Sequence, residues 1–396
     1  MNSNSHLLET STLVLADRTV TRAQIRISGN GLIEAIQTDP QKFEDASNKE
    51  VLSGILAPGM LDLHLNGFSG LDNYRDANNP QFFNLLERSL LNTGVTSYLL
   101  TLISSPLKRM ISTLETLASH TKNQKYTPLG FLGFYLEGPF LNSQKMGTHP
   151  LEFLQKITPD SLSRIETFQQ KNPNTPIRVI TIAPEEEGGI DAISQFKKWG
   201  IFTALGHSVS DYETALKAQA AGATLTTHLF NAMSPLHHRF PGLPGASLAA
   251  HGHFVELICD GIHIHPAVLS LAIQIKGADE VICVTDATSA AGMPEGSYFL
   301  DEIPVTLKKG LCLNQKGELA GSALTMIQTV RNLRNWLNIS FHDIFKMTSL
   351  NPARALQLDQ HLGSIAIGKE ANLILLDQET LDIKKVWLRG KPIQLK

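Results

Sequence analysis

The sequence predicts an α/β protein: a (β/α)₈ barrel of the TIM type, with a small β-sandwich domain built from both termini. Three observations carry this. Between residues 60 and 284, eight short apolar runs alternate with amphipathic stretches long enough for helices. Five of these runs lead directly to a Glu, His or Asp, as barrel strands do when several of them furnish one site. Strand-like segments stand at the two ends of the chain, outside the repeat.

Near the start, Thr12–Leu15 and Ala23–Ile27 read as short strands, and Gly29-Asn30-Gly31 supplies a hairpin signal. At the far end, Gly363–Gly368 leads into Ala371–Asp377, and Lys385–Leu388 before Gly390-Lys391 gives a further strand and turn. The two ends can therefore pair as one domain, residues 1–54 with 351–396. The barrel, residues 55–350, has as its strands Met60–His64, Thr96–Leu100, Leu132–Leu136, Ile177–Ile182, Phe202–Leu205, Thr224–Thr227, Val255–Cys259 and Val281–Val284. Helices fit between most of them. In Asp211–Ala221, for example, Ser210 or Asp211 can cap and Gly222 can close. A doubly wound open sheet is the alternative for such a repeat. Chemically active residues at five or more strand ends favour the barrel.

Composition narrows the function classes. The 396 residues carry 34 Lys+Arg against 37 Asp+Glu, a formal charge of −3, with no basic stripe, so no nucleic-acid partner is expected. Met1–Ala16 lacks a cationic segment followed by a continuous apolar one, and no run of about 18 uncharged apolar residues occurs, so neither secretion nor membrane insertion is expected. The three cysteines, Cys259, Cys283 and Cys312, are odd in number and widely spaced, which argues against a disulfide framework or a Cys-based zinc cluster. A cytoplasmic location fits. The 14 histidines are the unusual count, because several follow apolar runs beside Gly, Asp or Glu.

The strand-end residues are Glu137, His207, His228, His263 and Asp286. One such residue alone is an ordinary capping or turn residue. Five at the C-terminal ends of successive parallel strands would face one cavity, where uncompensated charge is costly unless a cation or substrate balances it. A Glu with two His suits Zn²⁺ or a similar divalent ion with an open coordination position, the arrangement of catalytic sites. Such an ion makes water reactive near pH 7, and a nearby carboxylate such as Asp286 can move the proton. Hydrolysis is the expected chemistry.

An ordered motif series sharpens this. It comprises Ala57–Gly67, Leu136-Glu137-Gly138-Pro139-Phe140-Leu141-Asn142, Gly206-His207-Ser208, Thr227–Met233, Asp260-Gly261-Ile262-His263, Thr285-Asp286-Ala287, Leu319-Ala320-Gly321-Ser322 and Asn351-Pro352-Ala353. The series resembles that of the N-acetylglucosamine-6-phosphate deacetylase family of the amidohydrolase superfamily, over about residues 50–377. The resemblance implies hydrolysis of the acetamide of N-acetyl-D-glucosamine 6-phosphate, giving acetate and glucosamine 6-phosphate. It implies Glu137, His207 and His228 as metal ligands, Asp286 as acid/base, and His149, following Thr148, as the group that polarises the carbonyl. Asn231, Ala232, Asp260 through His263, and Leu319, Ala320 and Gly321 match sugar-phosphate contacts. Arg239 matches an arginine that clamps phosphate across a homodimer interface, a role its bidentate fork suits.

One position departs from the superfamily pattern. His-x-His, which serves a second metal, here reads His64-Leu65-Asn66, and no counterpart of the bridging carboxylated lysine is recognisable. One catalytic ion is therefore expected, zinc first, with iron, cobalt, manganese or nickel as alternatives, and His64 as a hydrogen-bonding, weak accessory or structural group. Asp62 reads as structural, Glu185–Glu187 as a solvated acidic loop, Met293–Gly296 as a turn, and His251, His253 and His265 as surface or capping residues. Rival functions are deacetylation of another acetamido sugar phosphate, such as the galactosamine epimer, and a non-catalytic scaffold. A scaffold has no need of Glu137, His207, His228 and Asp286 together.

Overall fold

The computed structural model describes residues 5–45, 49–122 and 129–395. Its central sheet contains eight neighbouring strands in chain order: Met60–Leu65, Val95–Ile103, Phe131–Glu137, Ile177–Ile182, Phe202–Leu205, Ala223–Thr226, Phe254–Ile258 and Val281–Val284. The pairings from the second strand to the eighth are parallel. Nearly every residue of these strands is buried, which explains why the sequence shows continuous apolar runs instead of alternation. At the C-terminal mouth, a parallel bridge between Leu65 and Ala287 links the first strand to the segment after the eighth. Thr285 Oγ1 also donates to the His64 carbonyl at 3.4 Å. The expected barrel is present.

Each strand is followed by a helix: Phe82–Leu91, Leu107–Thr121, Pro159–Lys171, Gly189–Lys198, Tyr212–Ala221, Gly242–Ala249, Pro266–Lys276 and, last, Met326–Leu337. Local chemistry sets their ends. Thr158 and Ser161 form a capping box, and the Asp211 side chain accepts from the Thr214 N–H while Gly222 closes that helix. Long connections follow the first, third, sixth and eighth strands. The last holds a three-stranded antiparallel sheet, Gly296–Leu313, which lies outside the expected βα alternation.

The small β-domain expected from both termini is a seven-stranded sheet. Its spatial order is Lys391–Ile393, Ile383–Leu388, Leu373–Leu376, Lys49–Pro58, His6–Val14, Thr19–Ile27 and Ile33–Gln37. The hairpin predicted at Gly29-Asn30-Gly31 joins the last two. Lys49–Pro58 pairs parallel with His6–Val14 and antiparallel with Leu373–Leu376, so N- and C-terminal segments share one core of Leu8, Leu13, Ile25, Leu56, Leu373 and Trp387. Gly59 follows directly, where a Cβ would lie 2.1 Å from Thr96 Oγ1. By contacts the chain forms two compact units, one of Met1–Asp62, Glu87–Ser97 and Met326–Lys396, the other of Leu63–Leu86 and Tyr98–Thr325.

Candidate active site

Glu137 ends the third barrel strand, while His207, His228 and Asp286 stand just beyond the fifth, sixth and eighth. Their exposures are all under 10%. The three residues after strands turn through positive φ, +48° at His207, +27° at His228 and +51° at Asp286, a region side chains other than Gly rarely adopt. These turns bring polar atoms together. Glu137 Oε1 lies 2.9 Å from His207 Nε2 and 3.0 Å from His228 Nε2, and the two nitrogens are 3.2 Å apart. Beyond Oε2 of the same carboxylate stand His64 Nε2 at 3.3 Å and His149 Nε2 at 3.7 Å.

Hydrogen bonding tests whether a cation fits. His207 Nδ1 meets the Lys145 carbonyl at 2.8 Å, and a carbonyl can only accept, so the ring proton belongs on Nδ1. Burial, opposed by Glu137, pushes the His207 imidazole down to about 4, so at neutral pH Nε2 is a bare lone pair. That lone pair faces a carboxylate oxygen at 2.9 Å, acceptor against acceptor. A divalent ion resolves the conflict. Ligand atoms about 2.0–2.2 Å from a tetrahedral centre lie roughly 3.3–3.6 Å from one another, close to the 2.9–3.2 Å edges of this triangle. Glu137, His207 and His228 therefore fit a metal. Two further buried donor sets overlap them, Glu137 with His149 and His207, and His64 with Glu137 and Asp286.

The protonation of the remaining groups follows from their partners. Burial opposes ionisation of Glu137, but the facing imidazoles His64, His149, His207 and His228 hold its carboxyl well below the usual range. Burial likewise works against protonating His64 and His228, yet Glu137 and Asp286 raise both above the ordinary imidazole value. Burial pushes the Asp286 carboxyl up. Asn66 Nδ2 donates to Asp286 Oδ1 at 2.7 Å, which orients the carboxylate. His149 Nδ1 accepts from the Ser104 N–H at 3.1 Å, so a neutral His149 carries its proton on Nε2, the side facing Glu137.

A cavity of about 330 Å³ opens on this cluster, a size suited to a small ligand. Of the residues named from the sequence, Glu137, Thr148, His149, His207, His228, Asn231, Ala232, His263, Asp286, Leu319 and Gly321 line it. Three do not. Asp260 accepts from the Ile262 and His263 main chain and pairs with His263 Nδ1 at 2.6 Å, so it fixes His263. Ala320 is fully buried beside the wall and its N–H bonds to the Cys312 carbonyl. Arg239 is exposed and lines a separate groove of about 700 Å³ with Ser210, Tyr212 and Phe240.

The cavity also has walls the sequence did not reveal: Ile103, Gln144, Lys145, Ile258 and Leu300, besides Asn66. Leu300 comes from the unforeseen three-stranded sheet, where Asp301 is gripped by Arg109 through two contacts of 2.6 Å. At Gly321, φ is +58° and a Cβ would lie 2.9 Å from the Asp286 carbonyl, which explains the glycine in that motif. Two expectations need correction. Glu185 is not a solvated acid: it accepts from Ser208 Oγ and the Val209 N–H, both at 2.7 Å, bracing the turn after His207. His253 is buried, with Nε2 2.8 Å from Thr226 Oγ1. His265 caps its helix as expected.

Comparison with known proteins gives matches over most of the chain. The amidohydrolase family profile matches residues 55–393. An N-acetylglucosamine-6-phosphate deacetylase of Vibrio furnissii is 35% identical over 370 residues, 93% of this chain and 90% of that protein. An N-acetylgalactosamine-6-phosphate deacetylase of Escherichia coli O157:H7 is 34% identical over 388 residues, 98% of this chain and 99% of that one. The crystal structure of N-acetylglucosamine-6-phosphate deacetylase from Pasteurella multocida superposes with a TM-score of 0.89 at 30% identity, covering 98% of this chain and 99% of that chain.

Proposed function

The chain belongs to the amidohydrolase family, and from that premise we propose that it hydrolyses the acetamide of N-acetyl-D-glucosamine 6-phosphate to acetate and glucosamine 6-phosphate. The observation that carries the chemistry is the lone pair of His207 Nε2 facing Glu137 Oε1 with His228 Nε2 alongside. In this proposal residues 55–350 form the catalytic domain, residues 1–54 with 351–396 form the small β-domain, and one zinc ion is held by Glu137, His207 and His228.

A bound divalent ion supplies Lewis-acid and water-activating chemistry at this centre. The chain's own residues supply the rest. Asp286, held by Asn66 Nδ2, takes a proton from the attacking water, and burial, which raises its affinity for that proton, suits it to the task. His149 donates from Nε2 to the acetamide oxygen as negative charge develops there in the tetrahedral state. Asp286 then returns the proton to the departing amine. Thr148, Asn231, Ala232, His263, Leu319 and Gly321 position the sugar, with Asp260 and Ala320 behind them.

The test is acetate release measured on the 6-phosphates of both N-acetylated amino sugars. Turnover of the glucosamine compound is expected to dominate. The galactosamine epimer is the second reading, favoured by the Escherichia coli relative that matches nearly end to end. No acetate from either compound sinks both readings.

Phosphate recognition belongs to the same proposal. Arg239 lies outside its own cavity, next to Phe240 at 72% and near Leu236 at 52% exposure, so the loop has apolar surface to bury against a second copy. A homodimer in which Arg239 reaches the neighbouring active site accounts for both facts. Arg239→Ala should raise KM for the phosphorylated sugar about 30-fold or more, the equivalent of roughly 2 kcal/mol for a charge-assisted bidentate contact. KM for the unphosphorylated sugar should barely move. Mixed dimers of Arg239→Ala with Asp286→Asn protomers should regain activity; none despite proven exchange places the arginine in its own subunit. A cytoplasmic location completes the proposal, supported by Cys259, Cys283 and Cys312, all buried thiols and none in a disulfide.

A further inference from the structure

Glu256 sits in the seventh barrel strand, Phe254–Ile258, with zero exposure, yet the reaction above gives it no task. A carboxylate inside a barrel is strongly unfavourable without compensation, and among the described residues no Lys or Arg pairs with it. Its contacts lead to the metal centre. Oε2 lies 3.5 Å from His64 Nδ1 and 3.4 Å from the main-chain nitrogen of His228, while Oε1 has no hydrogen-bond partner among the described residues. The Glu256 carbonyl accepts from the Leu229 N–H at 2.8 Å, tying the strand to the turn that carries His228. Its partner His64 is fully buried, packs at a tilt of 41° against Tyr135 with ring centroids 4.7 Å apart, and presents Nε2 to Glu137 Oε2 and Asp286 Oδ1.

The geometry points to Glu256 as a positioning residue of the metal centre, one that touches neither substrate nor ion. One carboxylate oxygen accepts from His64 Nδ1–H, which fixes that ring with Nε2 toward Glu137, and it also faces the N–H of the His228 turn. One contact acts on Glu137 through His64 and the other meets the turn that carries His228, both ligands of the proposed centre, so the inference rests on that reading. An apolar residue would suit this strand better if packing alone mattered. A negative charge at this position would complement a bound cation beyond His64 and the His228 turn, the relation that outer carboxylates bear to the ligands of a metal.

Glu256→Gln keeps the shape and removes the charge, so it separates the two roles. Zinc affinity is measured by competition with a chromophoric chelator on the full-length protein, and thermal unfolding is measured after metal removal. The variant should bind zinc roughly 10- to 100-fold more weakly, while the metal-free variant melts at or above the wild-type temperature. If wild type itself retains no zinc, the centre and this role fall together. If wild type binds zinc and Glu256→Gln binds it equally well, the positioning role alone is overturned. A metal-free variant that fails to fold, or melts lower than wild type, assigns Glu256 to the fold and also overturns it.

Discussion

Glu137→Gln, His207→Asn and His228→Asn are each expected to bring metal content close to zero and acetate release to background, with the fold kept. The argument is one of donors. Glu137 Oε1 stands within 3.0 Å of both imidazole nitrogens, so losing any one group removes a third of the donor set at a single point. The glutamine variant would also present a neutral amide where four imidazoles now hold a carboxylate. The fold should persist because barrel closure at Leu65–Ala287 and the buried strands do not depend on these side chains. Metal analysis with far-ultraviolet circular dichroism checks both halves. Full turnover with stoichiometric metal in any one variant would strike that residue from the ligand set.

Asp286→Asn should leave the metal in place and still lower kcat by about 10²–10⁴ or more, the range of a lost general acid–base group. The substitution is nearly isosteric, and the new amide oxygen can still accept from Asn66 Nδ2, now 2.7 Å from Asp286 Oδ1. What disappears is the capacity to take a proton from water and deliver it to the amine. KM should therefore change far less than kcat. A small change in kcat with unchanged metal content would move the acid–base role to another residue in the cavity, such as His149.

The barrel was legible because its strands are buried on both faces, so each reads as an apolar run such as Leu132–Leu136 or Val281–Val284. Glu137, His207, His228 and Asp286 were legible because each terminates such a run. Asp286 and Asn66, by contrast, are 220 residues apart, and nothing local announces that one amide orients the other's carboxylate. Glu256 left one trace, a lone acid inside the apolar run Val255–Cys259, which spacing alone cannot distinguish from an outward-facing strand residue. Leu300 reaches the cavity on an antiparallel excursion, Gly296–Leu313, that a strict βα alternation does not anticipate. Arg239 was named from its motif, but its position outside the cavity depends on tertiary structure that a motif does not encode.

The three left-handed turns at His207, His228 and Asp286 set this enzyme against any selection for heat resistance alone. A side chain at positive φ costs on the order of 1–3 kcal/mol, a sizeable share of the roughly 5–15 kcal/mol that keeps an ordinary domain folded. Glycine at any of the three positions would release that strain, so thermal screening of a random library would enrich glycine at the positions where function is lost. Breeding a hardier variant therefore needs turnover as a second criterion in every round, with substitutions confined to segments remote from these turns.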